Sequence, residues 1–161
     1  MSDFEATATT SEVRYLAPGW FIRNVFNRFV NGSARLGISV WGSRILEVPG
    51  RVSGEIRSTP VNVLTIDDRR FLVAPRGVTQ WVLNVRAAGA VDLRVGRRTE
   101  HLRVVEVADA DKPEILRPYL QRWKWEVGQF FDGVGPDATD EEFLVAAPNH
   151  PVFELLAPPT T

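Results

Sequence analysis

The sequence predicts a mainly β fold with helices (α+β): a small antiparallel barrel with an N-terminal helix and further helices packed outside. Three observations point there. From Ile45 onward the chain breaks into short runs rich in Val, Ile and Leu, separated by turn residues. Two pairs of those runs read as hairpins, around Asp67–Asp68 and Gly96–Arg97, and the regular strand–helix–strand alternation of a parallel sheet is absent. At 161 residues the chain fits one domain with a sizeable core, expected over residues 14–161.

The elements follow in order. Residues 1–13 are small and polar and read as a loose tail. Between Gly19 and Arg35, Phe21, Ile22, Val25, Phe26, Phe29 and Val30 recur at three- and four-residue steps, one face of a helix. Arg23, Asn24, Asn27 and Arg28 fall on the other side, which suits packing on the domain and leaves open a weak membrane-surface contact through residues 19–35. Ile45–Val48 reads as a strand ended by Pro49–Gly50. Ile56–Ile66 and Arg69–Ala74 form the first hairpin. Val78–Ala88 is helical, with Trp81, Val82 and Val85 on one face. Ala90–Val95 and Thr99–Val107 form the second hairpin, and Pro113–Phe131 is a longer, aromatic-rich helix. Asp132–Asp140 is a Gly/Pro/Asp loop, and its acidic end, Asp137–Glu142, reads as solvated or as a lid. Phe143–Ala146 and Val152–Ala157 read as short closing strands.

Composition narrows the chemistry. There is no cysteine, so disulfides, thiolate metal sites and cysteine nucleophiles are excluded, and His101 and His150 alone cannot build a His-rich metal cluster. Neither histidine receives a role. A formal net charge of −1 gives no reason to expect a nucleic-acid partner. The charge is uneven: residues 14–57 hold seven Arg against Glu47 and Glu55, whereas residues 106–142 hold ten acids against four bases. A cationic end suited to a polyanionic ligand is expected. No stretch is apolar enough to span a bilayer and no signal-peptide layout is visible, so a cytoplasmic protein, with a peripheral place at the inner membrane face left open, is expected. Seventeen Arg against two Lys, with abundant Ala and Val, suggests a GC-rich genome.

Two clusters carry the functional signal. In Gly50-Arg51-Val52-Ser53-Gly54-Glu55-Ile56-Arg57-Ser58-Thr59-Pro60, two glycines permit a tight turn, two arginines offer planar multiple donors, and three residues offer hydroxyls. That set suits phosphate or carboxylate, and it also suits a solvated basic hairpin. It is neither a P-loop nor a dinucleotide fingerprint, because the Gly-Lys-Ser/Thr ending and the following helix are missing. In the second cluster, Ala74 to Arg86, a strand ends at Pro75-Arg76-Gly77 and a helix begins whose N-terminus favours anions. Trp81 and Asn84 stand about one helical turn apart, and Trp81 also suits plain core packing.

Taken together, Gly-Arg-x-Ser-Gly-x-x-Arg-x-Thr-Pro, a hairpin, and x-x-x-Trp-x-x-Asn-x-Arg resemble the deazaflavin-dependent nitroreductases and quinone reductases of actinobacteria. The likeness runs from about Arg44 to Val107, and more loosely through the last helix and Pro151–Pro158. It implies a split β-barrel and, as cofactor, the 8-hydroxy-5-deazaflavin coenzyme F-420. It implies that Arg51, Ser53 and Arg57 hold the phosphate and polyglutamate tail, that Arg76 with the backbone around Ala74 and Gly77 lines the same channel, and that Asn62, Trp81 and Asn84 lie near the coenzyme. Val52 stands where many members carry Lys, and Val78-Thr79-Gln80 where His-Pro-Ala is common.

The activity so implied is an oxidoreductase delivering hydride from the reduced coenzyme to a small-molecule acceptor: a quinone, enone or nitroaromatic. Trp123, Trp125, Phe130 and Phe131 are candidates for an aromatic wall that stacks the acceptor, and Tyr119 is the weak catalytic candidate for a proton donor. The same aromatics also suit core packing or a dimer contact. Two alternatives stay open: an FMN-binding split-barrel oxidoreductase, and a non-catalytic binding protein for an apolar ligand. A homodimer also stays open, by analogy with related barrels.

Overall fold

The computed structural model describes residues 43–159; the tail at 1–13 and the helix expected at 19–35 lie outside them. Six strands, β1 (Ser43–Pro49), β2 (Ile56–Ile66), β3 (Arg69–Val73), β4 (Ala90–Val95), β5 (Arg98–Glu106) and β6 (Val152–Leu156), close into an antiparallel barrel in the order β1-β2-β3-β6-β5-β4. Among the described residues three helices accompany them: α1 (Gln80–Ala88), α2 (Pro113–Val127) and α3 (Asp140–Ala146). Among the described residues no helix is long and apolar enough to cross a membrane.

The hairpin joining β2 to β3 is a two-residue turn between the paired Ile66 and Arg69, with Asp67 and Asp68 at φ +48° and +64°. Two positive φ values give a loop twist that matches the strands, and Asp tolerates that region better than most side chains.

Alternation along the strands then produces two cores. Leu46, Val48, Val63, Leu72, Val91, Leu93, Leu102, Phe153 and Leu155 fill the barrel, and Val82 and Val85 of α1 join them. The intervening positions Leu64, Phe71, Val73 and Val152 face outward and lie under α2, through Ile115, Leu116, Tyr119, Leu120, Trp123 and Val127, with Phe131 and Phe143 completing the layer. A strand that is apolar on both faces therefore marks where a helix lies outside it.

Three helical elements differ from expectation. Phe143–Ala146 is not a strand but the end of α3. Its apolar run has helical spacing: Phe143 and Ala146 turn inward while Leu144 and Val145 face water. The start was legible as a capping box, Thr139-x-x-Glu142. The Glu142 N–H donates to Thr139 Oγ1 (3.2 Å) and the Thr139 N–H to Glu142 Oε2 (2.8 Å). The acids at 140–142 thus complement a helix N-terminus. Nor is this stretch a free lid, because Arg117 donates to the Pro136 and Ala138 carbonyls and to Asp140. The aromatic helix stops at Val127 and continues as a 3-10 turn, Gly128–Phe130, and the helix expected from Val78 begins at Gln80.

At the barrel end away from α1, Arg70 grips Glu100 through two bonds of 2.8 and 2.7 Å, and this contact holds the Glu100 carboxyl below its usual range. A depressed carboxylate contributes stability above the unfolded-state value of about 4.3 and loses it as pH falls through the folded value. Glu100→Gln should therefore cost a few tenths to about 1 kcal/mol at pH 7, since the pair is exposed. The gap from wild type should narrow as pH falls below about 4.3 and close only below the depressed folded value, which denaturant melts taken through the acid range would check.

Candidate cofactor-binding site

At the barrel end where β1 passes into β2, residues 50–55 form a tight turn. The Gly50 N–H donates to the Glu55 carbonyl (2.7 Å) and the Gly54 N–H to the Gly50 carbonyl (2.8 Å). Gly54 has φ +74°, where a side chain would be strained. Gly50 sits in close quarters: a Cβ there would lie 3.0 Å from Ser53 Oγ and 3.3 Å from the Glu55 carbonyl, with Arg57 Nε at 3.6 Å. Ser53 and Arg57 thus converge over a bare backbone. Arg57 pairs across the strands with the interior Val48, so its side chain rises at the barrel mouth. It lies 3.5 Å from Glu55, with both side chains largely in water, a weak ion pair that a better anion can displace.

Arg51 reaches the other way, onto α1. Its backbone N–H and its Nη1 both donate to Asn84 Oδ1 (3.1 and 3.0 Å), and Nη1 also donates to Gln80 Oε1 (2.9 Å). Gln80 and Asn84 are four residues apart and share a helical face. Asn84 is buried, and its oxygen is spent on Arg51. It therefore sets the position of Arg51. Gln80 was missed from sequence, although its spacing from Asn84 was the available signal.

A second turn approaches the start of α1. Ala74 is buried in the barrel with its N–H on the Pro151 carbonyl (2.8 Å), and the Gly77 N–H donates to the Ala74 carbonyl (3.2 Å) with Gly77 at φ +88°. Both amides expected to line a channel are thus used within the fold. The turn offers instead the Arg76 side chain and the N-terminus of α1. There Thr79 occupies the N-cap without making a side-chain cap bond, and its buried Oγ1 has no hydrogen-bond partner. An orphaned hydroxyl at the positive end of a helix suits an oxyanion that completes it. Trp81, half-buried on the next residues, tilts against Phe153 at 6.0 Å.

The remaining candidates lie apart from this clamp. Asn62 sits five residues along β2 from Arg57, roughly 16 Å at the rise of a strand, and on the outer face. Its Nδ2 donates to Glu126 Oε2 (3.1 Å), tying β2 to α2. The aromatic wall is also divided. Trp123 and Phe131 are fully buried in the outer core, Trp125 is 65% exposed, and Phe130 is half-buried with the Arg76 guanidinium 6.0 Å from its ring centre. Tyr119 is buried against Trp123 (5.1 Å) and Phe131 (6.4 Å), and burial pushes its phenol up from the ordinary value. A phenol so enclosed serves packing and does not meet an acceptor as a proton donor.

Nor do the early arginines gather at one end. Arg44 pairs with Val61 at the start of β1, on the far side of the barrel from Arg51 and Arg57. Exposed His101 pairs across the sheet with Asp92 (2.5 Å). His150, by contrast, is buried: it stacks on Phe131 (4.0 Å, 15°), and its Nδ1 donates to the Pro75 carbonyl (2.9 Å).

Arg51, Ser53, Arg57, Arg76 and Thr79 are all hydrogen-bond donors, three of them on turns, Arg57 at the start of β2 and Thr79 at a helix N-terminus. This donor set fits the phosphate and carboxylates of a deazaflavin coenzyme.

Comparison with known proteins agrees with that chemistry. The sequence model of the F-420H(2)-dependent quinone reductases matches residues 21–127. Among solved structures, an F-420-H2 dependent reductase (FDR-A) matches at TM-score 0.51 and 15% identity, over 71% of this chain and 93% of the other. A domain-swapped dimer matches at TM-score 0.51 and 16% identity, over 84% and 96%. A protein of unknown function from Agrobacterium tumefaciens matches at TM-score 0.53 and 15% identity, over 88% and 57%. These likenesses establish the split-barrel fold. No curated protein matches the sequence.

Proposed function

As a member of the F-420H(2)-dependent quinone reductase family, this chain is an oxidoreductase served by reduced F-420, and we propose that it passes hydride to a quinone, enone or nitroaromatic acceptor. The observation that carries the reading is the convergence of Ser53 and Arg57 over Gly50, beside an Arg51 that Asn84 and Gln80 hold in place. Bound, reduced F-420 supplies a two-electron reductant, and the protein's part is to hold and orient it.

In this reading Arg51, Ser53 and Arg57 grip the phosphate and polyglutamate tail, whose several negative charges match several donors. Arg76 and the Thr79 hydroxyl hold the phosphate end against α1. Trp81 lines the coenzyme, and Phe130, beside Arg76, offers an aromatic face to a flat acceptor. As charge builds on the acceptor oxygen, a backbone N–H or water hydrogen-bonds to it and solvent supplies the proton, because Tyr119 is enclosed. A second copy of the chain as partner is part of the proposal, consistent with the dimeric neighbour in the same fold.

The test is a titration of the purified protein with F-420 and, in parallel, FMN, followed by tryptophan emission, then turnover of menadione, cyclohexenone and a nitroimidazole with the reduced coenzyme. Saturable F-420 binding with turnover of one acceptor class supports the reading. Binding of FMN alone would move the assignment to a flavin oxidoreductase.

A further inference from the structure

His150 lies 75 residues from Pro75 in the chain, yet the two are in direct contact. Of the groups present, the Pro75 carbonyl can only accept, so the hydrogen-bonded Nδ1 of His150 carries the proton. One residue further, the Pro151 carbonyl accepts the Ala74 N–H at 2.8 Å. Two bonds from consecutive residues therefore bracket the Ala74–Pro75 peptide. The anchor is itself fixed: the His150 N–H donates to the Ala147 carbonyl (3.1 Å), and the buried Lys112 Nζ donates to the same carbonyl (2.9 Å) and to Asp109 (2.6 Å).

Arg76 follows immediately, and its guanidinium lies over Phe130, whose neighbour Phe131 stacks on the His150 ring. The Phe130-Phe131 pair and His150-Pro151 thus hold the turn from two sides. Proline brings no N–H to fasten the turn, so its carbonyl is one of few handles available.

We infer that His150 is a positioning residue for coenzyme binding: its Nδ1–H fixes the Pro75 carbonyl and so aims Arg76 and the first turn of α1 at the phosphate end of F-420. The inference rests on the proposed function. Its physical content is preorganisation: a guanidinium already aimed needs no ordering when the anion arrives, and a misplaced one must be ordered at the expense of affinity.

The experiment compares His150→Phe, which keeps an aromatic ring against Phe131 but cannot donate, with His150→Asn, whose amide N–H takes the place of Nδ1–H. Each is made in wild type and in Arg76→Ala. F-420 dissociation constants come from tryptophan quenching, melting temperatures serve as the fold control, and hydrogen exchange reads the Gly77 amide. Expected is a loss of about three- to tenfold in affinity for His150→Phe, the worth of one hydrogen bond, with faster Gly77 exchange. His150→Asn should recover most of it, and in Arg76→Ala the Phe substitution should change affinity less than about twofold. A lowered melting temperature with unchanged affinity, equal effects of Phe and Asn, or the same loss in the Arg76→Ala background would overturn the inference. Wild type failing to bind F-420 would instead overturn the proposed function, and the inference with it.

Discussion

With Arg51 and Arg57 both changed to Ala, F-420 affinity should fall by at least a hundredfold, and saturable binding should disappear at micromolar protein. A hydrogen bond to a charged group contributes about 1.5–3 kcal/mol, so each residue is worth about ten- to a hundredfold or more. The two effects need not add, because the side chains act at one turn. Arg51 also fastens the β1–β2 turn to α1 through Asn84 and Gln80, so its removal loosens the turn as well as removing a cation. Arg51→Lys separates the two causes: it keeps the charge and loses the planar fork. Binding restored largely by Lys would mean that charge dominates; binding as weak as with Ala would mean that the fork held between Gln80 and Asn84 is what matters. Titration by fluorescence quenching at two salt concentrations measures this, and a double variant that binds within threefold of wild type would sink the clamp. A protein that merely enclosed an apolar ligand would be indifferent to both changes.

The second large effect is on stability. Trp123→Ala should cost about 3–5 kcal/mol, because the indole, on the face of α2 turned to the barrel, is fully buried in the outer core against Tyr119. For a chain of this size that is a fall in melting temperature of roughly 10 °C or more. Trp123→Phe should be much milder: the indole N–H has no hydrogen-bond partner, so the ring's volume is what is lost. Acceptor KM in the Phe variant should stay near wild type. A large rise in KM with an unchanged melting temperature would show instead that Trp123 meets the acceptor. Thermal melts and steady-state kinetics on the same preparations decide between them.

Much of this molecule was readable one residue at a time. Short apolar runs with Asp-Asp and Gly-Arg between them can satisfy their backbone groups only by pairing with neighbours, which is why β2, β4 and both hairpins fall where the pattern predicted. The Gly50–Arg57 segment was legible for a similar reason: bare backbone, planar cations and a hydroxyl within eight residues need no distant partner to suggest an anion.

The misreadings have two causes, a local signal passed over and the absence of a third dimension. The run Phe143–Ala146 is equally apolar as a strand or as a helix, and the capping box at Thr139 decides for the helix. Trp123, Trp125, Phe130 and Phe131 look alike in sequence. Which of them meets water depends on which side of α2 lies on the barrel, and that is set by Leu64, Phe71 and Val152 on remote strands.

Composition, periodicity and turn chemistry therefore determined the barrel, its hairpins and the Gly/Arg-rich turn proposed to hold an anion, because those are local consequences of backbone hydrogen bonding and side-chain type. The burial of Tyr119, the use of Asn84 to hold Arg51, the separation of Asn62 and Arg44 from the clamp, and the bond from His150 to Pro75 were decided only when the chain closed on itself. Each is a contact or a separation between residues whose distance in space their spacing along the chain does not encode.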